Sequence, residues 1–160
     1  MKKYSDTELI RKTIDIAQFN ASSGFGGGPF GAIIVKEGEI ISSCGNSVTL
    51  NNDPTAHAEV NAIRDACSKL KTFDLSGTTL YTSCEPCPMC LAAAYWARVD
   101  KIYFAADRHD AEEAGFSDAL IYNEFTLPLE ERSVAIEQIN TEDKVLPFTT
   151  WKENDKKTLY

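Results

Sequence analysis

His57-Ala58-Glu59 and, further along the chain, Pro86-Cys87-Pro88-Met89-Cys90 are the two segments whose reading decides this fold. Together they supply one imidazole, two thiols and one carboxylate that is not needed as a ligand. A structural zinc is closed by four protein ligands, whereas a catalytic zinc is held by three and keeps a position for water. His57, Cys87 and Cys90 therefore read as the ligands of one catalytic Zn2+ per chain, with Glu59 left to carry protons. A C-x-x-C pair can also be a redox couple or half of a structural zinc knuckle. A redox couple has no use for His-x-Glu beside a helix start, and a knuckle needs a second ligand pair. Elsewhere the chain offers only His109 and the widely separated Cys44 and Cys67. Cys84 stands three before Cys87 and is formally a pair with it. It closes the Thr78–Ser83 run, which reads as a strand, so packing is its expected role.

The spacing has a structural logic. Pro86 and Pro88 lead into the apolar run Leu91 to Ala97, which reads as a helix over 87–97. Proline suits the first helical position, where its missing N–H has no partner to lose. Cys87 and Cys90, three apart, then share one face of the first turn. Upstream, Asp53-Pro54-Thr55 looks like an N-cap followed by proline, opening a helix over 55–70 with His57 near its start. Two positive helix ends would then aim at one cation site and favour thiolate over thiol. His57 and Glu59 are two apart and share no helix face. His57 is therefore expected to reach the metal from the helix entrance, with Glu59 turned toward the bound water.

Working outward, 160 residues suit a single domain spanning 1–160 with a core that needs no disulfides. Ser5-Asp6-Thr7-Glu8 is a capping box, opening an amphipathic helix that the glycines at 24–28 should end. Pro29 to Val35 and Glu39 to Cys44 flank Lys36-Glu37-Gly38 as a hairpin. Strand 78–83, helix 87–97 and strand 99–105 follow, and Ser133–Ile139 is a further candidate strand. This order implies an α/β fold whose sheet is at least partly parallel, with helices on its faces. An odd count of five cysteines and no N-terminal apolar segment point to a reducing cytoplasm. No run is long enough to span a membrane.

The net charge of −8 is concentrated. Between Asp107 and Glu131 eight acidic residues face one basic residue, Arg108, a local net of −7. Nucleic-acid binding rests on lysine and arginine neutralising phosphates, so RNA or DNA is a poor partner for this chain.

As a whole the sequence resembles the cytidine deaminase superfamily, whose zinc-dependent nucleobase deaminases carry the H-x-E…P-C-x-x-C signature. Within it the chain looks like the small bacterial guanine deaminases. The matching runs are Gly28-Pro29-Phe30-Gly31-Ala32, Asn52 to Glu59, Tyr81 to Cys90, Tyr95-Trp96-Ala97-Arg98 and Ala114-Gly115-Phe116-Ser117-Asp118, together with the final Tyr160. The zinc runs are shared with tRNA adenosine deaminases. Trp96, Gly115-Phe116-x-Asp118 and Tyr160 point more narrowly to guanine.

The resemblance implies a three-layer fold with a mixed five-stranded sheet between helices, and hydrolytic deamination of guanine to xanthine and ammonia. Zinc would lower the pKa of its water from 15.7 to about 7, giving a hydroxide nucleophile at neutral pH, with Glu59 as proton shuttle. It further implies a proton-handling role for Asp118, and contacts to the purine base from Asn46, Ala58, Phe30, Trp96 and Tyr160. The C-terminal segment, 141–160, would cover the active site, and in the resembled family it crosses to the partner of a domain-swapped homodimer. The rival readings are a tRNA adenosine deaminase, a deaminase of guanosine, cytosine or another aminated heterocycle, and a catalytically silent deaminase-like scaffold. A tRNA enzyme should have a basic tail, but here Lys144, Lys152, Lys156 and Lys157 are balanced by Glu142, Asp143, Glu153 and Asp155. A silent scaffold would be expected to have lost Glu59 or a ligand.

Overall fold

Ser5 begins the first helix as the capping box predicts. Its Oγ accepts from the Glu8 amide at 3.3 Å, and Glu8 Oε2 accepts from the Ser5 amide at 2.8 Å. The computed structural model describes residues 4–24 and 27–160. Helix α1 (Asp6–Ser23) ends at Gly24, in the left-handed region at φ 66°. Gly26, one of the glycines expected to break it, lies outside the described residues.

The chain divides into two compact units, Met1–Asp118 and Ala119–Tyr160. In the first, strands β1 (Gly31–Lys36) and β2 (Glu39–Gly45) form the expected hairpin. Both turn residues, Glu37 and Gly38, take positive φ, the twist that a two-residue hairpin loop requires. Then come α2 (Val48–Asn51), α3 (Ala58–Leu70), β3 (Thr78–Cys84), α4 (Pro88–Trp96), β4 (Lys101–Ala106) and α5 (Arg108–Glu113). The sheet order is β2-β1-β3-β4, with β1 antiparallel to both neighbours and β3 parallel to β4 across α4. It is thus mixed.

Strand alternation sends the two faces of β1 into different cores. Ala32 and Ile34 join Leu80 against Ala58, Ala62, Ala66 and Ala94 of α3 and α4. Ile33 and Val35 join Tyr81 against Leu9 of α1. These are the three layers. The α1 layer lies close: a side chain at Gly31 would meet the Thr13 carbonyl oxygen at 2.4 Å.

The second unit holds α6 (Ala119–Glu124), a 3-10 turn at Leu129–Glu131 and α7 (Leu146–Glu153). Among the described residues the sheet has four strands, one fewer than expected, because Ser133–Ile139 belongs to no sheet. A strand is defined by the hydrogen bonds it makes to a neighbour, and this segment has no such neighbour.

Candidate active site

Both metal-motif segments sit at helix entrances. His57 is the N-cap of α3 and Cys87 the N-cap of α4, with Pro88 in the first turn behind it. The expected Asp53 cap is not formed. Asp53 Oδ1 instead accepts from the Thr55 amide at 2.8 Å and the Thr55 hydroxyl at 2.7 Å, closing an Asx turn that delays the helix to Ala58. The extended backbone of His57 (φ −66°, ψ 155°) frees its ring from the helix face that Glu59 occupies. This resolves their two-residue spacing.

His57 Nδ1 lies 3.6 Å from Cys87 Sγ and 3.5 Å from Cys90 Sγ, and the three donor atoms all lie within 4.8 Å of one another. Zinc bonds of about 2.3 Å to sulfur and 2.0–2.1 Å to nitrogen, at tetrahedral angles, set an N-to-S edge near 3.6 Å. The donor set therefore fits one zinc ion. A hydrogen bond from Cys90, followed by one with His57, holds the Cys87 thiol down to about 4 despite its burial. The same bond, followed by burial, pushes the Cys90 thiol upward. The hydrogen bond with Cys87 raises His57 against the opposing effect of burial.

Glu59, only 5% exposed, lies beside this group. Burial raises its carboxyl above the ordinary carboxylate range. Its Oε1 accepts from Thr82 Oγ1 at 3.3 Å and its Oε2 from Cys90 Sγ at 3.5 Å. Thr82 was not anticipated. The available signal was a polar residue on the Leu80 face of β3, where the alternation calls for apolar ones.

Asn46 is buried at the exit of β2. Its Oδ1 accepts from the Gly28 amide at 3.0 Å and the Val48 amide at 3.1 Å, which fixes the orientation of its amide group. Asn61, also unanticipated, ties this loop to the His57 segment. Its Nδ2 donates to the Gly45 carbonyl, Ser47 Oγ and the Ala56 carbonyl. Ala58 is fully buried at the first position of α3, where a backbone N–H has no intrahelical partner.

Asp118 stands in the electrostatic reach of Cys87. Desolvation raises its carboxyl, with smaller contributions from Cys87 and Glu85, while Arg108 opposes them. Arg108 grips Glu85, beside the metal loop, through Nη2 at 2.6 Å and Nε at 3.2 Å. Phe30 meets Phe116 edge-on, with ring centroids 5.0 Å apart. Both line an apolar cleft of about 510 Å³ together with Ile14, Ala17, Cys84 and Ala106, and none of the three ligand side chains lines it. Cys84 is no part of the donor group. Its thiol lies 3.5 Å from the Asp107 carbonyl, and burial pushes it up to about 11.

Two expected residues are not brought to this group within the first unit. Trp96 is 68% exposed at the C-terminal end of α4. At 1.5 Å per residue, that is about 9 Å along the axis from Cys90. Tyr160 belongs to the second unit and is 72% exposed.

Comparison with known proteins gives consistent likenesses. Residues 3–106 match the cytidine and deoxycytidylate deaminase zinc-binding region. Guanine deaminase from Bacillus subtilis (strain 168) is 48% identical over 152 residues, covering 95% of this chain and 97% of that protein. The X-ray structure of guanine deaminase from Bacillus subtilis superimposes with a TM-score of 0.95 at 46% identity, covering 98% of this chain and 99% of that one. The tRNA-specific adenosine deaminase of Aquifex aeolicus is 55% identical, but over 78 residues, 49% of this chain and 52% of that protein.

Proposed function

The chain belongs to the cytidine and deoxycytidylate deaminase zinc-binding family, and from that premise we propose that it hydrolyses guanine to xanthine and ammonia. The observation that carries this reading is a buried carboxylate beside three converging zinc donors, in a chain whose likeness to a guanine deaminase runs through nearly its whole length. The likeness to a tRNA deaminase covers half the chain, and the acidic balance disfavours a phosphate backbone.

His57, Cys87 and Cys90 would hold the zinc, which would supply the Lewis acidity that makes water a usable nucleophile near neutral pH. The water oxygen bonds to C2 of guanine and the C2–amino bond breaks. Glu59 takes the water's proton, delivers it to the adjacent ring nitrogen and assists the departing ammonia. Burial raises its carboxyl above the ordinary range, which makes the carboxylate a stronger acceptor of that proton. Asp118 relays a proton to the amine. The Asn46 carbonyl is occupied by Gly28 and Val48, so its amide nitrogen is left to donate to an acceptor on the purine. The Ala58 N–H is a second such donor, and Phe30 stacks on the base. Trp96 is given no base contact within one chain.

We further infer a homodimer in which the C-terminal segment 141–160 closes the partner's site with Tyr160, and Ser133–Ile139 extends the partner's sheet at β4. Two observations support this: β4 ends the sheet with Phe104 exposed, and no side chain between Ala119 and Tyr160 is buried. Among the described residues no helix is long and apolar enough to cross a membrane, and none of the five cysteines is joined in a disulfide, which suits a reducing cytoplasm. The test of the activity is ammonia release by the purified zinc-loaded protein from guanine, guanosine, adenine, cytosine and an adenosine-bearing tRNA loop. Guanine alone should give rapid release, and preferred turnover of the RNA would overturn the reading.

A further inference from the structure

Glu59 must present one carboxylate oxygen to the reacting water and later to the ring nitrogen, so its side chain has to hold a single orientation through the cycle. Apart from its own backbone amide, its hydrogen-bond partners among the described residues are Thr82 on Oε1 and Cys90 on Oε2. The two partners differ in kind. With zinc bound, Cys90 would be a thiolate with no S–H to donate. Thr82 keeps its hydroxyl proton in every state.

Thr82 is also firmly placed. It is fully buried in β3, paired with Ala32 of β1 on one side and Phe104 of β4 on the other. Its branched Cβ restricts χ1. A buried hydroxyl needs a hydrogen-bond partner, and Glu59 Oε1 is the acceptor within reach.

We propose that Thr82 is a positioning residue for the reaction: its hydroxyl anchors Glu59 Oε1 and thereby turns Oε2 toward the His57–Cys87–Cys90 group as the oxygen that moves the proton. The proposal rests on the reading of Glu59 as proton carrier. Sequence spacing does not connect the two residues. The sheet and α3 bring them together.

Zinc-loaded Thr82→Val, Thr82→Ser and Glu59→Gln proteins test it by zinc content, kcat and KM for guanine. Valine keeps the shape and removes the hydroxyl, whereas serine keeps the hydroxyl. Misplacement of a catalytic group by about 1 Å costs on the order of 10²-fold. Thr82→Val should therefore hold one zinc per chain and keep KM within about twofold, while kcat falls roughly ten- to a hundredfold. Thr82→Ser should stay near wild type. In the Glu59→Gln background Thr82→Val should cause no further loss. If valine does not yield folded protein, Thr82→Ala against Thr82→Ser, which differ by the hydroxyl alone, should show the same kcat gap. Wild-type kcat in Thr82→Val, or in Thr82→Ala where that pair is used, while Glu59→Gln is dead, overturns the proposal and leaves Glu59 as the proton carrier. A loss spread over kcat, KM and zinc content marks a packing role and overturns it as well. Wild-type turnover by Glu59→Gln removes the reading of Glu59, and the proposal falls with it.

Discussion

Residues up to Asp118 and residues from Ala119 onward treat their apolar side chains in opposite ways. The first unit buries them on both faces of a sheet and holds every residue of the donor group at the entrances of two helices. The second forms short helices, buries no side chain and leaves thirteen large apolar side chains at least 40% exposed, from Leu120 to Tyr160. A segment of this length with no core of its own is not expected to be stable alone. In the function proposed above, this difference separates chemistry from enclosure: the first unit would carry the reacting groups, and the second would cover a site that it does not itself supply.

The strongest test of that division is loss of the metal. Cys87→Ala should lose zinc and turnover together, while Cys84→Ala keeps both, as read by metal content and ammonia release. Zinc loss from Cys84→Ala with retention in Cys87→Ala would show that the donor group is wrongly drawn. Next comes Glu59→Gln, which should keep zinc and purine binding and lose about 10²–10⁴-fold in turnover, the usual contribution of a positioned proton carrier.

The second unit is tested by removing the last few residues through Tyr160. The protein should remain folded and zinc-loaded, with turnover down by about 10²-fold because a small neutral base offers few other contacts to fix it. Full activity of the shortened chain would erase the contrast. Mixing it with the Glu59→Gln chain sharpens the contrast. If tails are exchanged between copies, one hybrid site has both an intact Glu59 and a full tail, and activity returns. Inactivity despite demonstrated subunit exchange would place each tail on its own chain.

The smallest effect is expected at the Glu85–Arg108 pair. Hydrogen bonds from Arg108 hold the Glu85 carboxyl below its ordinary range. A depressed folded-state pKa stabilises above the unfolded value and is lost as pH falls through the folded one. Glu85→Gln should therefore cost no more than about 1 kcal/mol near pH 7, since the pair is partly exposed. The difference from wild type should close as the pH drops below about 4, measured by denaturant unfolding across pH.

Local rules carried far in this sequence. The capping box at Ser5, the hairpin turn at Glu37-Gly38 and Pro88 in the first turn of α4 all depend on residues within a few positions of one another. The donor set His57, Cys87 and Cys90 was legible because three-ligand zinc chemistry restricts both residue types and spacing. The Asp53 cap does not form because an Asx turn and an N-cap use the same side chain, and only the path of the chain decides between them.

By itself, then, the sequence determined the chemistry, the order of the elements and the segments that approach the metal, since these follow from side-chain types and short-range geometry. Tertiary structure decided the rest. It set Thr82 against Glu59 across 23 positions of chain, locked the Asn46 carbonyl on amides from both sides of it, and drew Arg108 onto Glu85. Among the described residues it also left Ser133–Ile139 outside the sheet and Trp96 away from the donor group. A hydrogen bond between distant residues, and a strand's need for a neighbour, depend on how the chain returns to itself, which no local pattern of residues encodes.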